Sequence, residues 1–308
     1  MNMSDYFLLP DSRLRAGWRL ALFVVLYLAA LFAVGLAASI FVHAQSVALE
    51  VGVLAATTGG STWLLLRWME RQPLVSIGFV WRRESWAEIR TGYGAGVALV
   101  AGLTAVEWGI GAIRFESAGA AGTGLAAFAA VTAILVISAT TEETLFRGYA
   151  FQRLIEGSNG AVAVAVSSVV FGWLHATNPY ATRLSILNTI LAGVLLGLAY
   201  LKTRALWLPV GFHFGWNWAL LALGHPVSGL VVAQMPWHAV PAWGLIWLHG
   251  GSYGPEGGIV ATTALVGGIF YLLRKAKDSR ALSGEAGSSL PPEKISGLSQ
   301  PREPSEQN

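Results

Sequence analysis

The sequence predicts an all-α protein: a polytopic membrane bundle of about eight transmembrane helices with both termini in the cytoplasm. Three observations carry this. Only 12% of the 308 residues are charged and 54% are hydrophobic, whereas a soluble domain carries roughly 25% charged residues. Eight segments approach the ~20 apolar helical residues that cross a hydrocarbon core of ~30 Å. The basic residues, finally, fall in alternate loops. Arg13 and Arg15 precede the first segment, and Arg67, Arg71, Arg82, Arg83 and Arg90 follow the second. Arg153 ends the fourth, Lys202 and Arg204 follow the sixth, and Arg274, Lys275, Lys277 and Arg280 follow the eighth. The other loops hold only Arg114 and Arg183. Under the positive-inside rule this places both ends in the cytoplasm, which requires an even number of spans.

In chain order the spans are read at 17–41, 46–66, 92–113, 124–155, 160–176, 184–201, 205–223 and 258–273. The first follows Arg13, Arg15 and Arg19 and precedes Val42-His43-Ala44, a faint cleavage signal. At 20–42 its apolar run far exceeds the 7–15 residues of a secretory signal, so it is read as a retained span. Residues 67–91 mix charge with Trp68, Trp81 and Trp86, as expected of a loop lying along the headgroups. Residues 224–257 carry prolines and tryptophans but no lysine or arginine. They read as an external loop, with a partly inserted segment around 243–248. Residues 1–277 form one membrane domain. Residues 278–308 are too poor in large apolar side chains to bury a core and read as a disordered tail.

The net charge of +3 does not indicate nucleic acid, because the arginines are dispersed between apolar runs rather than gathered in a patch. With no cysteine in the chain, disulfides, thiolate metal sites and a cysteine nucleophile are excluded. The aspartates Asp5, Asp11 and Asp278 lie outside the spans, which excludes an intramembrane aspartyl dyad. Neither a His-Glu-x-x-His motif nor a Gly-x-Ser-x-Gly elbow occurs, and Ser228 is a serine with no arranged partner.

The chemistry concentrates in Thr140-Thr141-Glu142-Glu143-Thr144-Leu145-Phe146-Arg147, two carboxylates and an arginine inside an apolar run. Intramembrane charge costs at least a few kcal/mol per residue and usually marks function. Glu143 and Arg147, four apart, share a helix face. His175 and His213 stand in later spans, four residues from Phe171 and Asn217 respectively. If the fourth helix runs unbroken to about residue 155, Glu143 lies roughly 18 Å above its cytoplasmic end, with His175 at roughly 22 Å and His213 at roughly 12 Å. Those heights suit one polar cluster. Carboxylates, imidazoles and an amide donor are the parts that activate water and stabilise an oxyanion. Interhelical hydrogen bonds from the histidines and a structural Glu143–Arg147 ion pair account for the same residues without catalysis. A proton-coupled transporter remains a further reading, though repeated halves are not found. Glu50 and Glu107 are read as interfacial, and His225, His238 and His249 as solvated or structural. Glu256, ahead of the eighth span, is left outside the core site.

Glu142-Glu143-x-x-x-Arg147, Phe171-x-x-x-His175 and His213-x-x-x-Asn217 occur in the order found in the CPBP family of intramembrane proteases, which the chain resembles over 124–223. That family includes the type II CAAX prenyl endopeptidases and bacteriocin self-immunity proteins, and the surrounding text is similar to bacterial members. The resemblance implies an eight-helix membrane endopeptidase, multi-pass in the plasma membrane of a bacterium, acting on a membrane-associated peptide or protein. It implies that Glu142 is the general base for water, tuned by Glu143 and Arg147. It further implies that His175 holds the water and that His213 and Asn217 stabilise the oxyanion. Zinc held by Glu143, His175 and His213, and activation by glutamate alone, both remain open. So does a non-enzymatic membrane scaffold or immunity protein that keeps the fold. The residues themselves favour Glu142 over Glu143 as base, because an arginine on the same face commits Glu143 to an ion pair.

Overall fold

The computed structural model describes residues 4–11, 13–41, 46–119, 124–242 and 244–282. Helices dominate: α1 (Ala16–Phe41), α2 (Val47–Leu65), α3 (Ser85–Gly109), α4 (Leu125–Arg147), α5 (Tyr149–Gly157), α6 (Gly160–Leu174), α7 (Arg183–Thr203), α8 (Trp207–Ala222) and α9 (Ile259–Leu282). Among the described residues six helical stretches are long and apolar enough to cross a membrane: α1, α2 with its extension to Glu70, α3, α4 with α5, α6 with the turn to Thr177, and α7. The other two expected spans are present as α8, with 16 residues, and α9. The chain is thus a helical, multi-pass membrane bundle.

The inner helices meet through small residues. In a bilayer apolar surface alone does not drive helices together, so close backbone approach has to supply packing. Gly92 and Gly96 on α3 face Gly211 and Gly215 on α8. A Cβ at Gly96 would stand 2.5 Å from the Phe212 carbonyl oxygen, and one at Gly211 2.5 Å from that of Ile89. At Gly92 and Gly215 a Cβ would run into the carbonyls of Leu208 and Tyr93. Two Gly-x-x-x-Gly stripes therefore clasp each other and fix α8. On α6 and α7, Gly172 packs on Ile190 and Gly193 on Ser168. Asn188 joins the starts of α7 and α9, its Nδ2 donating to the carbonyls of Glu256 and Gly258, both at 2.8 Å. In contrast, α1 is peripheral, with Val25, Phe32, Leu36 and Ile40 exposed as a lipid-facing surface. Phe23 holds it against Tyr149, ring centroids 5.4 Å apart.

Several sequence expectations are revised. Residues 85–91 are helical rather than loop: α3 starts, in charged first turns, seven residues before the span expected at 92. Downstream, the expected third span ends early and Ile113–Ser117 forms strand β1, antiparallel to β2 (Trp237–Pro241). This ribbon stitches the 224–257 segment to the end of α3. The long fourth span is two helices, broken at Gly148. Glu107 is fully buried, and neither carboxylate oxygen has a hydrogen-bond partner among the described residues, so it is not interfacial. Of the two readings of His225, structural fits and solvated does not: it is buried, its Nε2 3.0 Å from Thr104 Oγ1, and burial lowers its pKa to about 4. α9 extends through Leu282, past the expected start of the tail. Residues 42–44, 243 and 283–308, where the cleavage signal, part of the inserted segment and the rest of the tail were read, lie outside the described residues.

Candidate active site

α4 delivers the acidic pair. Its helix closes at Gly148, whose N–H donates to Thr144 O at 3.1 Å and whose φ of −83° and ψ of −123° turn the chain out of the helix. A Cβ there would collide with the Thr144 carbonyl, so the break needs glycine. α5 leaves at an angle, burying Tyr149 and Phe151. The break sets Arg147 as the last residue of α4 instead of the middle of a longer helix. It leaves Glu142 and Glu143 one turn above.

Glu143 and Arg147 are both fully buried and form an i,i+4 ion pair, Arg147 Nη1 to Glu143 Oε1 at 3.1 Å. Arg147 Nη2 also donates to Gly193 O at 3.0 Å, and the guanidinium lies 4.9 Å from the Phe171 ring centroid. The same Glu143 Oε1 receives His213 Nδ1 at 2.9 Å. The pairing offsets the cost of an ion in low dielectric, while Glu143 Oε2 and Arg147 Nε stay buried without a hydrogen-bond partner among the described residues. Nδ1 donating to a carboxylate leaves His213 Nε2 for other chemistry.

Glu142 is placed differently. Its side chain is 23% exposed, and Oε2 lies 3.8 Å from His213 Nε2. Oε1 accepts the Ser138 hydroxyl at 3.0 Å, a partner one helical turn earlier that the motif reading overlooked. Oε2 is buried without a hydrogen-bond partner among the described residues. The separation of 3.8 Å is too long for a direct hydrogen bond. One water at ~2.8 Å from each atom can touch both, with roughly a right angle between the two contacts.

His175, His213 and Asn217 line one small cavity, of about 40 Å³, together with Phe171, Trp216 and Glu256. His175 begins the turn that follows α6 and its Nδ1 donates to Phe171 O at 2.7 Å, so its Nε2 is also left available. Phe171 packs between both imidazoles, at centroid distances of 4.5 Å to His175 and 6.1 Å to His213. Neither Glu142 nor Glu143 is in the cavity lining; His213 is what connects the carboxylates to it.

Glu256 is the residue that sequence reasoning set aside. Its Oε1 accepts Trp216 Nε1 at 2.9 Å, and its Oε2 accepts the Ser228 N–H at 2.5 Å and Oγ at 3.3 Å. Burial raises the Glu256 carboxyl above the ordinary carboxylate range, and the hydrogen bonds from Ser228 and Trp216 work in the other direction. Ser228 has the arranged partner it was thought to lack, presented from a left-handed backbone with φ of 49°. The available signals were glycines on both sides of Pro255-Glu256 and Trp216 directly before Asn217.

The zinc set raised from the sequence, Glu143, His175 and His213, has one of its oxygens already engaged, while Glu143 Oε2 has no hydrogen-bond partner among the described residues. Glu143 Oε1 is taken by a guanidinium and an imidazole N–H, and no group of three His, Cys, Asp or Glu side chains among the described residues is arranged to hold an ion.

Residues 124–219 match the family model for Rce1-like type II CAAX prenyl endopeptidases. The six motif residues, Glu142, Glu143, Arg147, His175, His213 and Asn217, all lie inside that match. This stretch is thus similar to the CPBP family of intramembrane proteases. Nothing among curated proteins matches the chain, and no solved structure does. The matched stretch comprises α4 to most of α8, the helices whose polar side chains meet around His213. Glu256, which closes the cavity, lies beyond it.

Proposed function

We propose that this chain is an intramembrane endopeptidase in which Glu142 activates the attacking water. The protease assignment follows at family level from the domain at 124–219. The observation that carries the residue assignment is the 3.8 Å gap between Glu142 Oε2 and His213 Nε2, sized for a water that touches both. Glu142 takes a proton from that water as it attacks a peptide carbonyl. The oxyanion that forms is stabilised by the amide of Asn217 and by Nε2–H of His213 in its protonated form, whose Nδ1–H stays on Glu143; both residues line the same cavity. Glu143 and Arg147 act through His213: the carboxylate fixes its ring by Nδ1, and the arginine keeps that carboxylate in place. His175 Nε2 helps hold water on the far side of Phe171. Glu142 then returns the proton to the leaving amine.

The substrate is a peptide or protein segment presented from the bilayer. The matched family is that of type II CAAX prenyl endopeptidases, and the proposed substrate class is no narrower than a peptide presented from the membrane. The test is purified protein in detergent or nanodiscs against an unbiased peptide library, with and without a chelator. Expected is cleavage that survives the chelator and is lost in Glu142→Gln. Cleavage abolished by the chelator and restored by zinc would replace the glutamate-only reading. Folded wild-type protein that cleaves nothing would favour a scaffold or immunity role.

A further inference from the structure

A second concavity, of about 620 Å³, opens between α3, α7, α8 and α9. Its walls are apolar, with Leu99, Leu195, Phe212 and Ala264 among them, and no acidic residue lines it. The charged groups are Lys202 and Lys275, both exposed.

These lysines stand level with each other. α7 and α9 start together, joined by Asn188 and Gly258, and run in the same direction. Lower down Gly268 packs against Leu195, where a Cβ would stand 2.8 Å from the leucine methyl. Seven residues beyond that contact on each helix come Lys275 and Lys202. Seven residues are close to two turns, ~10 Å of rise, and return to nearly the same helix face. Both ammonium groups therefore sit at one mouth of the groove, the end that the positive-inside pattern assigns to the cytoplasm. From Lys275 up to Thr263, the far end of the lining on α9, is twelve residues or ~18 Å. One leaflet of a ~30 Å hydrocarbon core is ~15 Å deep.

An apolar slot one leaflet deep, capped by two cations and free of carboxylates, is complementary to a lipid with a negative headgroup. We propose that this groove binds an anionic diacyl phospholipid, its phosphate held by Lys202 and Lys275 and an acyl chain lying along α9. Basic pockets between helices at the cytoplasmic face suit such headgroups. The inner end of the chain reaches Leu196 and Phe212, which also line the cavity holding His213. The lipid thus buttresses the wall that carries the imidazole. The proposal does not depend on the chain being a protease.

The full-length protein would be purified in neutral detergent and given equal amounts of phosphatidylglycerol and phosphatidylcholine with matched chains, and retained lipid read by native mass spectrometry. Wild type should retain phosphatidylglycerol preferentially, each lysine near an anionic lipid being worth ~1 kcal/mol or about five-fold. The double variant Lys202→Gln, Lys275→Gln, altered only at exposed positions, should lose that preference. Gly267→Phe should lose both lipids, since a side chain at Gly267, where a Cβ meets nothing within 4 Å, fills the slot. Equal retention of the two lipids by wild type would overturn the proposal, as would unchanged preference in the lysine variant. Lipid still retained by folded Gly267→Phe would overturn the location. Competitive displacement by a farnesylated peptide would instead assign the slot to a substrate chain. If Gly267→Phe does not fold, the lysine variant and the competition decide.

Discussion

Two arginine–carboxylate clusters among the described residues differ in their surroundings: the one around Arg147 borders the cavity that His175 and Asn217 line, and the one around Glu70 does not. Near the expected cytoplasmic face, Glu70 accepts Arg19 at 2.9 Å and 3.1 Å through its two oxygens, Tyr149 Oη at 2.9 Å and Arg153 at 2.9 Å. Arg19 and Arg153 also reach Glu156. The cluster ties α1, the end of α2 and α5 together, and both Glu70 oxygens are engaged. Around Arg147 the saturation is incomplete by design of the surroundings. Glu143 holds one imidazole nitrogen, the other nitrogen faces Glu142, and the ring borders a cavity. The difference teaches that buried charge alone does not identify an active site. What distinguishes one is a polar chain whose last member still has valence directed at open space.

That contrast is broken most directly at Glu142. Glu142→Gln should cut turnover by ~10²-fold or more, the worth of a general base, while the melting temperature in detergent stays near wild type, because Glu142 holds no buried ion. Near wild-type turnover in this variant, with Glu143→Gln inactive but well folded, would exchange the roles of the two glutamates. Glu143→Gln should cost yield and turnover together. It leaves Arg147 buried beside a neutral amide, and breaking a buried pair costs ~3–5 kcal/mol. Denaturant melts compared with Glu142→Gln measure this.

Glu70→Gln sharpens the comparison from the other side. It should lower stability by ~1–3 kcal/mol through weakened charged hydrogen bonds, with turnover per folded molecule unchanged. A loss of turnover at constant fold would show that the two clusters communicate. Glu256→Gln is smaller again. The amide cannot accept equally from Trp216 and Ser228, so stability should fall by ~1 kcal/mol and turnover should fall several-fold as the cavity wall loosens.

The smallest effect at neutral pH belongs to a third buried polar pair, Thr104 and His225. His225 resists protonation when folded, with a pKa of about 4 against 6.5 unfolded. The unfolded chain takes up the proton first as pH falls, so stability is complete above pH 6.5 and is lost down to about pH 4, by up to ~3 kcal/mol. His225→Phe should flatten that acid limb while changing stability at pH 7 by only ~1 kcal/mol. An unchanged acid limb would mean that another group controls it.

Much of this was readable from the chain. Hydropathy located every long helix, and the three motifs named residues that meet around His213, because helical spacing is local information. Hydropathy reports lipid, not helix, however, so the charged first turns of α3 at Ser85 to Arg90 passed for loop. The β1–β2 ribbon joins Ile113 to Pro241, a pairing that no local pattern carries. Glu107 looked interfacial from its position near a helix end, but its burial is decided by what packs on α3. Glu256 reaches the cavity through Asn188 and Ser228, partners 68 and 28 residues away. The glycine stripes at Gly92-x-x-x-Gly96 and Gly211-x-x-x-Gly215 were in plain sight and carried a physical meaning.

Those stripes also limit which wall of the cavity can move. With backbone set against backbone at four places, α8 can neither roll nor slide along α3 without driving a carbonyl into a glycine Cα. The wall bearing His213 and Asn217 is therefore the anvil of the machine. On the opposing side the turn at His175 meets the 224–257 segment through the hydrogen bond from Asn178 Nδ2 to Ser228 O, 3.0 Å, and through the close approach of Gly229 to the Pro179 carbonyl. Entry by displacement of that segment would also draw Ser228 away from Glu256, so that the cavity opens and its buried carboxylate is bared in one movement.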